Sequence, residues 1–147
     1  MAQAHTVKKA FSRETIVEMD INSPTERVWQ VLGQAEHYPK WTSTILALEG
    51  KIAPGESLRL RSALDPKRTF RLKVKALEPN GRMVWGGSMG ERIFALTALP
   101  EGGTRFRMSE KIGSPLFFLF AGMIPPFDEA FDRFAQDLKL ESEKASR

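Results

Sequence analysis

The chain has no cysteine, two histidines and one tyrosine among its 147 residues. The first absence removes disulfides, thiolate zinc sites, iron–sulfur clusters and cysteine nucleophiles together. His5 and His37 stand far apart, so no cluster of donors has metal-ligand spacing, and neither a metal nor another cofactor is expected. A phosphate-cradling G-x-x-x-x-G-K-[ST] loop is missing as well. The longest apolar run, Leu116 to Ile124, is bounded by Pro115 and Pro125 and falls short of the roughly 20 residues a membrane-spanning helix needs. Nor is there an apolar stretch near Met1 of the kind a secretory signal carries, so a cytoplasmic location is the expectation.

What is present fits one globular domain, with 41% hydrophobic and 27% charged residues. Lys and Arg total 22 against 18 acids, which leaves 22 − 18 = +4. Anionic partners such as nucleic acid or lipid headgroups therefore have to be weighed. Residues 1–11 read as a flexible polar leader and residues 12–147 as a single domain. Thr15, Val17, Met19 and Ile21 alternate with Ile16, Glu18 and Asp20, the period-two pattern of a half-buried strand. Ser23-Pro24-Thr25-Glu26 then reads as a capping box that starts a helix carrying Val28, Trp29 and Leu32, and Ala35 to Trp41 reads as a second short helix.

From Ile45 to Glu110, strand-like segments are separated by turn residues, which predicts an antiparallel meander. Leu58, Leu60, Ser62 and Leu64 share one face, as do Phe70, Leu72, Val74 and Ala76, then Phe94, Leu96 and Ala98, then Phe106, Met108 and Glu110. The opposite face is basic, with Arg59, Arg61, Arg71, Lys73, Lys75, Arg105 and Arg107. It lacks the exposed aromatics on which single-stranded nucleic acid stacks, which argues for a solvated outer face and against nucleic acid. Phe127, Phe131, Phe134 and Leu138 recur at helical spacing and must lie on something apolar. The inner face of the meander is the surface available, so the architecture is α+β, a curved sheet wrapped around a terminal helix.

The segments Ile21-Asn22-Ser23-Pro24-Thr25-Glu26-Arg27-Val28-Trp29, Tyr38-Pro39-Lys40-Trp41, Gly103 to Glu110 and the terminal helix ending Leu138-Lys139-Leu140-Glu141 stand in a telling order. In that order the chain resembles the START/Bet v 1-like (SRPBCC) superfamily, in its polyketide cyclase/dehydrase and lipid transport branch. The resemblance implies a helix-grip fold: a seven-stranded antiparallel sheet around a long C-terminal helix, two short helices after strand 1, and an enclosed hydrophobic cavity. It implies no single reaction, since similar proteins include lipid carriers, hormone receptors and aromatase/cyclases. Function has to be argued from the cavity.

Alternation and helical spacing nominate Leu60, Leu72, Val74, Phe94, Leu96, Phe106, Met108, Phe131 and Phe134 as cavity walls, and Ser62 as the polar residue on its strand face. Trp41 is added to the ligand-binding set mainly by the resemblance. Glu110 is the candidate acid/base or polar anchor: an inward carboxylate needs a cation or donor to offset its desolvation, unless it ends the strand in solvent. Burial as the first part of the terminal helix is the plain reading of Leu116 to Ile124, with Phe117, Phe118, Phe120 and Met123 as candidates for a gate and a contact patch as a further alternative. Gly86-Gly87-Ser88-Met89-Gly90 matches the G-x-S-x-G elbow formally, yet a strand pattern follows it, so it reads as a hairpin turn. The leading function is binding of a hydrophobic small molecule, with a cyclase/dehydratase-type enzyme using Glu110 as the alternative. No membrane span is expected, and both monomer and homodimer remain open.

Overall fold

The computed structural model describes residues 3–9, 12–87, 90–113 and 126–144. The chain runs through β1 (His5–Lys8), β2 (Ser12–Ile21), α1 (Thr25–Leu32), a 3-10 turn (Ala35–His37) and α2 (Tyr38–Trp41). Then come β3 (Ile45–Glu49), β4 (Ser57–Ser62), β5 (Phe70–Glu78), β6 (Arg82–Gly86), β7 (Gly90–Ala98), β8 (Thr104–Gly113) and the long α3 (Asp128–Ser142). The strands make one antiparallel sheet in the order β1-β2-β8-β7-β6-β5-β4-β3.

The α+β architecture is as the pattern required. The inward residues of the strands, among them Val17, Met19, Leu58, Val74, Phe94, Phe106 and Met108, form one core with Phe131, Phe134, Ala135 and Leu138 of α3. Each of those strand positions is two from the next on its own face, so one face is sequestered while the intervening charged residues stay in water.

Among the described residues the strand count is eight, not seven. The additional strand is β1, which falls in the segment read as a leader. Its residues His5, Thr6, Val7 and Lys8 carry no apolar alternation because it is an edge strand on the outside of the sheet. Polar bonds tie it down: the ladder to β2, a Thr6–Thr15 hydroxyl contact of 2.9 Å, and the Thr6 hydroxyl donating to Asp128 of α3 at 2.6 Å.

The capping box does not form. Pro24, extended at φ −68° and ψ 157°, occupies the N-cap position of α1, and no side chain caps it. Ser23 is instead held by its carbonyl, which accepts the Thr104 hydroxyl at 2.7 Å. The second short helix is a 3-10 turn followed by one α turn, with Pro39 in its first positions. Tyr38 is fully buried there and donates its hydroxyl to the Leu32 carbonyl at 2.6 Å. Burial pushes its phenol far above the usual tyrosine range; with its ring in the core and its hydroxyl bonded to Leu32, it is a packing residue. Tyr38→Phe is expected to cost about 1–2 kcal/mol in chemical denaturation, because the Leu32 carbonyl loses a buried donor.

At the other end of α3, Glu143 pairs with Lys139 and accepts the Asn22 N–H at 2.6 Å. Burial alone would raise this carboxyl, but the Lys139 ammonium and the Asn22 N–H outweigh it and hold it below the ordinary carboxylate range. A depressed native value means the contribution is complete above the unfolded carboxyl's titration and is lost as pH falls through the native one. Melting temperature measured against pH should therefore fall less steeply in acid for Glu143→Gln than for the wild type.

Candidate functional site

The sheet and α3 do not close on each other along their whole length. At the end where β4 turns into β5 and β6 turns into β7, they leave a cavity of about 480 Å3. Leu60, Phe70, Leu72, Trp85, Met108 and Ile112 wall it from the sheet, and Ala130, Phe131 and Phe134 of α3, with its N-cap residue Phe127, wall it from the other side. Thr44, Ser62, Asp65, Arg68 and Thr69 sit on its lining where the β4–β5 connection passes. A space of this size and character is suited to a small, mostly apolar molecule.

One ion pair stands among these apolar walls. Arg92 of β7 and Glu110 of β8 are cross-strand partners, and Arg92 Nε donates to Glu110 Oε1 at 2.6 Å. Their side chains are only 14% and 18% exposed. The Arg92 guanidinium also lies 5.0 Å from the centre of the Phe131 ring, so the α3 face of the cavity packs on the cation. Arg13 of β2 adds a second cation nearby, stacked 4.9 Å from the centre of the Phe127 ring. Burial lowers the affinity of Arg13 for its proton, while the charges of Asp128 and Glu110 act against that. The inward carboxylate thus has the cations its desolvation demands.

Of the residues nominated from the sequence, Leu60, Ser62, Leu72, Met108, Glu110, Phe131 and Phe134 line this cavity. Ser62 does both things open to it: it lies on the wall, and its Oγ accepts the Leu64 N–H at 3.1 Å. Trp41, Val74, Phe94, Leu96 and Phe106 do not line it. Phe94 and Phe106 are fully buried against the Phe134 ring, at centroid distances of 6.1 and 6.3 Å, so α3 fills the space in front of them. Leu96 is buried in the same core, and Val74 faces its β6 partner Trp85 beside a β-bulge. Trp41 is half-buried and packs edge-on against Phe134 at 5.2 Å. Phe117, Phe118, Phe120 and Met123 lie outside the described residues.

Sequence reasoning passed over Arg92, although it sits two positions before Phe94 and the alternation that turns Phe94 inward turns Arg92 inward too. The same rule applied from Glu110 would have found Ile112. Trp85 of β6 is on the wall as well.

The G-x-S-x-G stretch stands between two antiparallel paired strands. Gly86 ends β6, Gly90 begins β7, and the Gly87 N–H bonds to the Gly90 carbonyl at 2.9 Å. A β-carbon on Gly86 would stand 2.5 Å from that carbonyl oxygen, so the close approach of the two strands requires glycine here. A nucleophile elbow needs a helix where β7 stands; Ser88 itself lies outside the described residues. His37 is half-buried, 3.9 Å from Glu36, and is not on the cavity wall. No helix among the described residues is long and apolar enough to cross a membrane.

The model of the family described as polyketide cyclase / dehydrase and lipid transport matches residues 12–143. No curated protein sequence matches the chain. Among solved structures, a protein of Nitrosomonas europaea superposes with a TM-score of 0.70 at 15% identity, covering 92% of this chain and 96% of its own. A protein of Mesorhizobium loti does so with 0.67 at 22% identity, covering 92% and 100%. A START superfamily protein of Mycobacterium smegmatis gives 0.67 at 17% identity, covering 90% and 99%. At these identities the likeness carries the fold and leaves the ligand to be argued from this cavity.

Proposed function

Because the chain belongs to the polyketide cyclase/dehydrase and lipid transport family, we propose that it binds a hydrophobic small molecule, such as a lipid, isoprenoid or polyketide-like aromatic, for carriage, sequestration or sensing. The observation that carries this reading is the cavity of about 480 Å3, apolar except for its Arg92–Glu110 pair and polar rim. A ligand burying roughly 300 Å2 of apolar surface would gain ~7 kcal/mol before the costs of association. Arg92 brings N–H donors and Glu110 acceptor oxygens to the wall, so one polar end of the ligand, a hydroxyl, carbonyl or carboxylate, has partners there.

The Arg92–Glu110 contact also favours a second reading, a cyclase/dehydratase-type enzyme. Glu110 would remove a proton next to a substrate carbonyl, and Arg92 would hold the oxygen that becomes negative. Arg92, which sequence reasoning passed over, would be the companion of Glu110 in such a step.

Titration with parinaric acid, a fluorescent fatty acid, tests the first reading. Saturable uptake at one molecule per chain is expected, with energy transfer from Trp85, and Leu72→Arg should abolish uptake without unfolding the sheet. Absence of saturable uptake by the folded wild type would contradict it. The second reading instead requires Glu110→Gln to bind a polyketide-like substrate normally and fail to convert it.

A further inference from the structure

The cations on the outside of the sheet are not treated alike. Lys75 pairs with Glu91, Arg82 with Glu78, Arg105 with Asp20, and Arg107 with Glu18. Those of the β4–β5 hairpin differ: Arg59 and Lys73 on its strands are in no ion pair among the described residues, and at its tip Arg61, Lys67, Arg68 and Arg71, likewise without one, gather with a single acid, Asp65, that is also in none. Arg68 is held at the rim by its stack on Phe70, 4.8 Å from the ring centre.

Two exposed leucines accompany these charges. Leu64, in the hairpin loop, is 39% exposed, and Leu46 of β3, beside the end of β4, is 38% exposed. Leu64, Asp65, Arg68 and Arg71 are also on the cavity lining. The cationic tip, Leu64 and the edge of the cavity are therefore one place, with Leu46 on the strand beside it.

We propose that this hairpin tip docks the protein on an anionic lipid bilayer, so that the cavity loads or unloads its ligand there. The inference rests on the reading of the cavity as a hydrophobic-ligand site. Unpaired Arg and Lys are attracted to the negative surface of acidic lipids, and leucines among them insert at the headgroup boundary. An acidic protein would satisfy the charges but gives no role to the exposed leucines, one of them on the cavity lining. An apolar ligand leaving for water loses its burial, whereas one leaving into a bilayer keeps it.

The test is co-sedimentation of the full chain with vesicles of phosphatidylcholine alone or with about a third phosphatidylglycerol. Binding is expected on the anionic vesicles, weakening as salt is raised. Arg61 and Lys67 are exposed and off the cavity lining. Arg61→Glu/Lys67→Glu should reduce partitioning roughly tenfold or more, with melting temperature and vesicle-free parinaric acid uptake unchanged. Leu46→Ser should weaken it severalfold at the same charge. Equal partitioning of the wild type on neutral and anionic vesicles would overturn the proposal, as would wild-type partitioning by the charge-reversed variant. Salt-sensitive capture of an acidic protein with no vesicle binding would overturn the lipid assignment in favour of that partner. Failure of wild-type parinaric acid uptake would overturn the cavity reading separately.

Discussion

Phe134→Ala is expected to lower stability by about 3–5 kcal/mol and the melting temperature by roughly 10 °C or more. The ring is fully buried and stands within 6.3 Å, centre to centre, of Tyr38, Trp41, Phe94 and Phe106. It is also on the cavity wall, so it marks where packed core ends and open space begins. Truncation would join the space it vacates to the cavity, since a dense core relaxes only partly around a deletion. The variant should therefore accept bulkier apolar probes than the wild type at a temperature where both are folded. A loss below about 1 kcal/mol in chemical denaturation would mean that α3 settles into the gap and that Phe134 is not the divider described.

The second large effect is at the ion pair. Arg92→Met removes the strong partner of Glu110 and leaves a carboxylate with 18% exposure against apolar walls. Breaking a buried pair costs roughly 3–5 kcal/mol, and the residual exposure here, with Arg13 nearby, places the expectation at the lower end, about 2–3 kcal/mol. Replacing both partners, Arg92→Met/Glu110→Leu, should recover most of that loss, because no buried charge is stranded. The double variant should still take up apolar probes, while discriminating less between those with and without a polar end. Chemical denaturation of the two singles and the double closes the cycle; a double as unstable as the Arg92→Met single would show that packing on Phe131, not charge pairing, is what Arg92 supplies.

How much of this could be read from the chain follows from what alternation encodes. Period-two patterning fixes facing, and it correctly turned Leu60, Leu72, Met108 and Glu110 toward the interior. It cannot tell an inward residue that meets a ligand from one that meets a neighbouring ring. Phe94 and Phe106 face the same way as Met108 and are solid core, because the Phe134 ring lies against them, whereas Met108 is on the cavity lining. That difference is set by where the helix rests, a tertiary fact with no local signature. β1 escaped notice for the opposite reason: its partners are backbone ladder bonds and the polar side chains Thr15 and Asp128, which hydrophobic patterning does not register. Arg92 was legible in principle, two positions from Phe94, but a charged residue on an apolar face invites assignment to solvent.

Native mass spectrometry of the protein as purified, beside the same sample after organic extraction, tests the central claim most directly. The account predicts an apolar adduct at one molecule per chain that extraction removes and that returns when the extracted lipid is added back. A folded protein that carries no adduct and takes up none of the lipids offered would contradict it.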